Sequence, residues 1–93
     1  MNIGVVNLRV RLFGVRSLKE KRGILKRLIN DLRKKYNISI SEVGAHDSKN
    51  FFEIGIAMVN TDRALIEKVF DAIIDYLDLY PGMEIEEAER EVW

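Results

Sequence analysis

The sequence contains no cysteine and only one histidine and one proline. The lack of cysteine excludes disulfide bonds, thiol nucleophiles and cysteine-ligated metal sites, and a single histidine excludes a histidine-rich zinc site. No segment approaches the roughly 18 consecutive apolar residues that a membrane-spanning helix needs. The first residues lack the basic leader of a signal peptide and have arginines within their apolar run. We therefore expect a soluble, cytoplasmic protein that does not enter a membrane.

The chain has no net charge, but the two signs are separated along it. Residues 1–36 hold 11 lysines and arginines against 2 acidic residues, and residues 37–93 hold 4 against 13, so the two parts carry +9 and −9. This asymmetry favours nucleic acid or an oppositely charged protein surface as a partner. If the two parts interleave in the folded protein, the charges instead neutralise one another.

The hydrophobic periodicity predicts four strands and two helices. Alternating apolar residues predict strands over 3–15, 38–45, 51–60 and 83–93, with a β-bulge near Glu42. Helical spacing predicts a helix over 17–36 and a second one that is capped by residues 60–62 and ended by Pro81 and Gly82. The order strand, helix, strand, strand, helix, strand is typical of the ferredoxin-like α+β fold. We expect one domain over residues 1–93, with both helices on one face of an antiparallel sheet of strand order 4-1-3-2.

The first helix opens with a capping box, in which the Ser17 hydroxyl accepts the Glu20 amide and the Glu20 carboxylate reaches back to the Ser17 amide. Its predicted core face consists of Leu18, Leu25, Ile29, Leu32 and Tyr36, with Leu28 at the margin. Asn37 is expected to adopt the left-handed conformation that ends many helices. The stem of Lys21 is expected to lie on the rim of the core, with its ammonium in water.

Cations line the remaining surface of this helix. Arg22, Lys26 and Arg33 follow one flank, and Lys19, Arg27 and Lys34 lie further round. Lysines and arginines bind phosphates without regard to base sequence, with a strong salt dependence. The candidate anion- or nucleic-acid-binding residues are Arg16, Lys19, Lys21, Arg22, Lys26 and Lys49. The topology places all of them except Lys26 at one corner, beside His46 and Asp47. A solvated helix face has the same pattern.

The sheet face away from the helices is predicted to bury itself against a second copy of the chain. Its residues on the first and third strands are Val5, Arg9, Arg11, Phe13, Phe51, Glu53, Ala57 and Val59. An RNA-recognition domain of this topology stacks bases on paired aromatics here. In this chain Glu53 takes the place of the second ring and repels phosphate. The sequence therefore predicts a homodimer.

No catalytic residue, metal site or cofactor is predicted. His46 and Asp47 are adjacent turn residues that point apart, and Ser48 is the only nearby nucleophile. The segment from Phe13 to Arg16 superficially resembles the phosphate loop of acylphosphatases, but the rest of that loop is absent. The glutamates of the last strand lack a ligand pattern and are typical of a charged edge strand.

Four motifs in order resemble the YlxP-like family of small bacterial proteins. They are SLKEKR at 17–22, EVG at 42–44 followed by Asp47, NTDRA at 60–64, and EVW at 91–93. The resemblance implies a ferredoxin-like fold without an established activity, and gene neighbours in translation and ribosome maturation imply a cytoplasmic, RNA-linked setting. We expect a non-enzymatic accessory protein that associates with RNA or a ribosomal particle. The alternative is a regulatory, homo-oligomeric domain whose basic helix docks an acidic protein.

Overall fold

The computed structural model describes residues 1–93 and contains one four-stranded antiparallel sheet and two helices. The strands are β1 (Asn2–Leu12), β2 (Ser39–Gly44), β3 (Phe51–Asn60) and β4 (Met83–Val92). The helices are α1 (Leu18–Lys35) and α2 (Arg63–Asp78). The sheet order is β4-β1-β3-β2, which confirms the predicted ferredoxin-like α+β arrangement. Neither helix is long and apolar enough to cross a membrane.

One hydrophobic core lies between the sheet and the helices. Alternate residues of the two central strands point into it, including Leu8 on β1 and Ile54 on β3, both fully buried. Leu28 of α1 and Phe70 of α2 meet them from the helical layer and are also fully buried. Because burial of one such side chain contributes about 1.5–3 kcal/mol, these alternating and helical patterns hold the layers together.

Helix α1 starts as the capping signal predicts. The Ser17 hydroxyl accepts the Glu20 amide at 3.1 Å. The Glu20 carboxylate accepts the amide of Arg16 at 3.3 Å, one residue before the expected one. Leu28 lies at the centre of the buried face rather than at its margin, because Leu25 and Leu32 flank it against the sheet.

The end of α1 differs from the prediction for Asn37. Tyr36 closes the helix in an extended conformation, and its amide donates to the Leu32 carbonyl at 2.9 Å. The chain then runs straight into β2, so Asn37 does not adopt a positive φ and that expectation is wrong.

The strand ends depart from the prediction where the backbone turns. β1 stops at Leu12 rather than at residue 15, because Gly14 turns the chain with φ 77°. The bulge predicted near Glu42 is confirmed by a register shift between Glu42 and Gly44. Ala45, just after β2, has φ 58°, an uncommon conformation for a residue with a side chain. Asp62 caps α2 by accepting two backbone amides, as predicted.

Candidate functional site

The solvent side of α1 holds exposed cations that have no acidic partner. We name this surface the basic strip, and its members are Arg16, Lys19, Arg22, Lys26, Arg27, Lys34 and Lys35. All seven side chains are exposed, and none of their nitrogens lies within 4.0 Å of a carboxylate oxygen. Like charges at this density attract anions and repel cations over roughly one Debye length, about 8 Å in physiological salt.

None of the acidic groups of α2 and β4 lies within 4.0 Å of a side-chain nitrogen of the basic strip, and Glu67, Asp71 and Glu86 pair with other arginines. Arg90 on β4 pairs with Glu67 at 3.2 Å and with Asp71 at 2.8 Å. Burial alone would lower the pKa of Arg90, but its hydrogen bonds to these two carboxylates outweigh burial and raise the pKa. Arg9 and Arg11 of the basic part pair with Glu53 and Glu86 of the acidic part across the sheet, whereas in α1 only Lys21 has a carboxylate within 4.0 Å.

Lys21 is placed differently from its prediction. Its side chain is only 1% exposed, whereas the sequence predicts its ammonium in water. The Nζ atom donates to the carbonyls of Ala45 and Ser48, each at 2.6 Å, and lies 3.5 Å from Glu42 Oε2. Those acceptors satisfy the ammonium, so Lys21 is withdrawn from the set of anion-binding candidates.

The same contacts place the loop between β2 and β3 against the first turn of α1, the corner that the topology predicts. Glu42 Oε2 is buried and accepts no hydrogen bond. The Lys21 ammonium, 3.5 Å away, is the positive charge that offsets the cost of burying this oxygen. Lys49 is exposed on this loop. Arg16 and Lys19 are exposed at the adjoining start of the helix. The corner therefore has three exposed cations, those of Arg16, Lys19 and Lys49, around the buried ammonium of Lys21.

The side chains considered for catalysis at this corner are not assembled for it. The side chain of His46 is 60% exposed, and its Nε2 lies 3.9 Å from Glu42 Oε1. The Ser48 hydroxyl accepts the Asn50 amide at 3.2 Å, as in an ordinary turn. These contacts stabilise the loop conformation.

Two grooves flank the basic strip. One runs towards β2, where Arg33 donates to the Ile40 carbonyl at 2.9 Å beside Arg22 and Lys26. The other runs towards the end of α2 and is lined in part by Gly23, Ile24 and Tyr80. The place of Ile24 and Tyr80 beside the cations depends on how the two helices pack.

Gly23 lies in the middle of α1, where glycine costs about 1 kcal/mol relative to alanine. A Cβ atom added there would meet no atom of any other element of the protein within 4 Å. Close packing between elements of this chain therefore does not require the glycine.

The open face of the sheet holds all eight residues predicted for it. Arg9 pairs with Glu53 at 2.8 Å and lies over the Phe51 ring, with its guanidinium carbon 4.4 Å from the ring centroid. Arg11 lies over the same ring at 5.2 Å, and Glu86 of β4 is within 3.7 Å of both arginines. The arginines on this face are therefore neutralised by carboxylates of the same chain.

Large apolar side chains cover much of the rest of this face. They are Ile3, Val5, Phe13, Val43, Val59 and Trp93, with exposed fractions from 39% to 60%. They make up most of the large hydrophobic residues that the chain exposes. Scattered exposed apolar residues are normal, but a concentration on one sheet face indicates an interaction surface.

Comparison with known proteins identifies the family of this chain. Residues 3–90 match the family described as "Protein of unknown function (DUF503)". The chain belongs to this family. It is 35% identical over 82 residues to "Uncharacterized protein YlxP" from Bacillus subtilis (strain 168), a match that covers 88% of this chain and 89% of that protein. The predicted membership of the YlxP-like family is confirmed.

Solved structures similar to this chain support the fold alone. The de novo designed protein Foldit4 matches with a TM-score of 0.57 and 18% identity over 98% of this chain and 96% of its own. SnoaB, a cofactor-independent oxygenase from Streptomyces nogalater, matches with a TM-score of 0.51 and 13% identity over 99% of this chain and 90% of its own. At such identity, shared architecture carries no information about activity.

Proposed function

We propose that this protein is a non-enzymatic, cytoplasmic accessory protein that associates with RNA or ribosomal particles by binding phosphates through the basic strip and Lys49. The observation that supports this proposal is that six exposed cations of α1, together with Arg16 just before the helix, have no carboxylate partner. Phosphates along a nucleic-acid backbone provide the missing counter-charges, and their binding releases condensed ions.

The composition of the strip favours RNA over an acidic protein. Its outermost part, around Lys26, Arg27, Asn30 and Lys34, has no hydrophobic residue in its lining. The core of a protein interface is depleted in charged residues and enriched in aromatic ones. A surface of three cations with the Asn30 amide and a single carboxylate, that of Asp31, is instead typical of contacts with phosphate and sugar.

The test is a salt titration of binding to labelled ribosomal RNA. With about four phosphate contacts, a fourfold rise in salt is expected to weaken binding about 50-fold. Replacing Lys19 and Lys26 by glutamine is expected to weaken binding. It is also expected to reduce the slope of log affinity against log salt concentration by about 1.4, because each contact to single-stranded RNA contributes about 0.7 to that slope.

A matched control uses the exposed cations of α2. Arg63→Gln together with Lys68→Gln changes the net charge by the same amount on a different surface, and is expected to leave the affinity nearly unchanged. Equal effects of the two double variants, or an affinity that does not depend on salt, would contradict the proposal. Recovery of a protein rather than RNA with the nuclease-treated chain would favour the acidic-partner alternative.

We also propose that the open sheet face binds a second copy of the chain. The four strands hold 11, 6, 10 and 10 residues, which at about 3.3 Å per residue and about 4.8 Å between strands gives a flat area of about 590 Å² per copy. That area lies at the lower end of stable interfaces, about 600 Å² per partner. The internal pairing of Arg9 and Arg11 with carboxylates makes the face unattractive to phosphate and compatible with a protein.

Charge selects one two-fold arrangement of the two faces. A two-fold axis parallel to the strands lays β4 of one copy over β2 of the other, which keeps the two glutamate-rich strands apart. It also brings the apolar end around Val5, Val59 and Trp93 against the same end of the partner copy. A two-fold axis perpendicular to the strands would instead place β4 over β4, with like charges opposed.

The test compares a valine and a leucine of equal exposure. Val5 on the sheet face and Leu65 on α2 are each 39% exposed. Val5→Lys is expected to convert a dimer into a monomer in light scattering at micromolar concentration, whereas Leu65→Lys leaves the dimer intact. Glu91 lies across from Val5 and offers the new lysine a partner, so the monomer is expected to stay folded. A monomeric mass for the unmodified chain would refute the proposal.

A further inference from the structure

Gly23 lines the groove between α1 and the end of α2. Packing within the chain does not require a glycine at this position. The groove measures about 490 Å³, and Gly23 lies in its lining as bare helix backbone. No atom of the chain occupies the space where a Cβ would stand. Glycine is favoured where a ligand approaches the backbone closely.

Two cations stand on either side of this bare backbone. Lys19 lies one turn before Gly23 and Arg27 one turn after it, each about 6 Å away along the helix axis. Neither has a carboxylate within 4.0 Å. An anion over Gly23 would have an unpaired cationic donor on each side, Lys19 and Arg27, and open space above the helix backbone between them.

The walls of the groove supply an apolar and aromatic surface. Ile24 lines one side and Tyr80 the other. The Tyr80 ring is held by an edge-to-face contact with Tyr76, at 5.7 Å between ring centroids and 66° between planes. A half-buried ring fixed in this way offers a flat partner for an unpaired base.

We propose that this groove binds one nucleotide of single-stranded RNA, with the phosphate over Gly23 between Lys19 and Arg27 and the base against Tyr80 and Ile24. This inference rests on the proposed RNA association and adds the kind of RNA and the place of contact. A single strand is required because a base within a duplex has both faces stacked on its neighbours.

Glu20 also lines the groove, and its charge opposes a phosphate there. Its carboxylate accepts the Arg16 amide at 3.3 Å, a hydrogen bond that glutamine also makes in a capping box. Glu20→Gln therefore removes the charge and keeps the helix start. It is expected to tighten binding of a phosphate in the groove.

The experiment measures fluorescence anisotropy of a labelled oligouridylate of about twelve nucleotides, within the usual span of single-strand sites, together with the urea unfolding midpoint of each variant. Gly23→Ala is expected to raise the urea midpoint and yet weaken RNA binding several-fold, because the methyl group fills the phosphate position. Tyr80→Leu is expected to weaken binding about 5- to 100-fold through lost stacking.

The outcomes separate this inference from the proposed function. If the parent binds the single strand with salt dependence but Gly23→Ala and Tyr80→Leu bind as the parent does, the groove is wrong and the RNA association stands. Equal affinity for a duplex of the same length also overturns the groove. If the parent binds no RNA at low salt, both are overturned.

Discussion

Replacement of the buried Lys21 by methionine tests whether the corner between α1 and the β2–β3 loop is held by a cation. Methionine keeps the unbranched apolar stem, so the change removes the ammonium with little loss of packing. The carbonyls of Ala45 and Ser48 then lose donors that stand at 2.6 Å. The buried oxygen of Glu42 loses the positive charge at 3.5 Å.

The expected loss of stability is large for one side chain. Each hydrogen bond from a charged donor contributes about 1.5–3 kcal/mol, and removing one partner of a buried ion pair costs about 3–5 kcal/mol. These contributions overlap, so we expect about 3–5 kcal/mol for Lys21→Met. Domains of this kind are stable by about 5–15 kcal/mol in total. A loss of about 3 kcal/mol lowers Tm by about 12–24 °C in a chain of this length.

Urea unfolding followed by far-ultraviolet circular dichroism measures the change. Lys19→Met is the matched control, because Lys19 lies on the same turn but is exposed and unpaired, and we expect a change within about 0.5 kcal/mol. Glu42→Gln, alone and combined with Lys21→Met, completes a double-mutant cycle whose coupling is expected to exceed about 1 kcal/mol. A Lys21→Met protein as stable as the control would refute this account of the corner.

Three further predictions concern the helices and their packing on the sheet. Gly4→Ala is expected to destabilise by about 1–3 kcal/mol, since its Cβ would overlap Ile66 and lie 2.8 Å from Phe70 Cε2; an unchanged urea midpoint would contradict this. Asp62→Ala is expected to lower the free energy of unfolding by about 1 kcal/mol, because the Asp62 carboxylate caps α2 by accepting the Ala64 and Leu65 amides at 2.9 and 3.3 Å. Asp75→Ala, which breaks no ion pair within 4.0 Å, serves as the control. Burial, and then Tyr80 and Asp31, raise the pKa of Tyr76 above its ordinary 10.0. The folded state therefore holds the phenolic proton more tightly than the unfolded state does. The stability that this proton contributes is complete below pH 10 and is lost as the pH rises through the folded pKa. Tyr76→Phe is then expected to lessen the fall of the urea midpoint above pH 10, and an identical fall in both proteins would exclude Tyr76 as its source.

Local patterns were sufficient for the secondary structure because they arise from residues close together in the chain. The alternation in Phe51–Asn60 and the capping residues Ser17 and Asp62 specify elements whose bounds the structure matches closely. The prediction failed at the end of α1, where the conformational preference of one residue conflicts with the path that the chain takes in the folded protein. Asn37 suits a left-handed helix end, yet the chain has to enter β2 directly, and the left-handed conformation occurs instead at Ala45.

The candidate site was predictable only in part for the same reason. Periodicity placed Lys19, Arg22 and Lys26 on the outside of α1, because solvent exposure follows from their angle to the apolar face. Periodicity also put Lys21 near the core, but its partners come from a loop 24 to 27 residues further along the chain. The groove beside Gly23 needs Tyr80, which lies two residues beyond the end of α2 and which no local pattern brings to α1.

The sequence by itself determined the family, the order of the elements, the ferredoxin-like sheet and the excess of positive charge on α1, because these depend on periodicity, capping and residues counted along the chain. The tertiary structure decided which charges are paired. Arg9 and Arg90 meet carboxylates on neighbouring strands and on α2, and Lys21 is buried under a loop, while the cations of the basic strip remain unpaired. Pairing depends on distances of a few ångströms between segments far apart in sequence, and folding alone sets those distances.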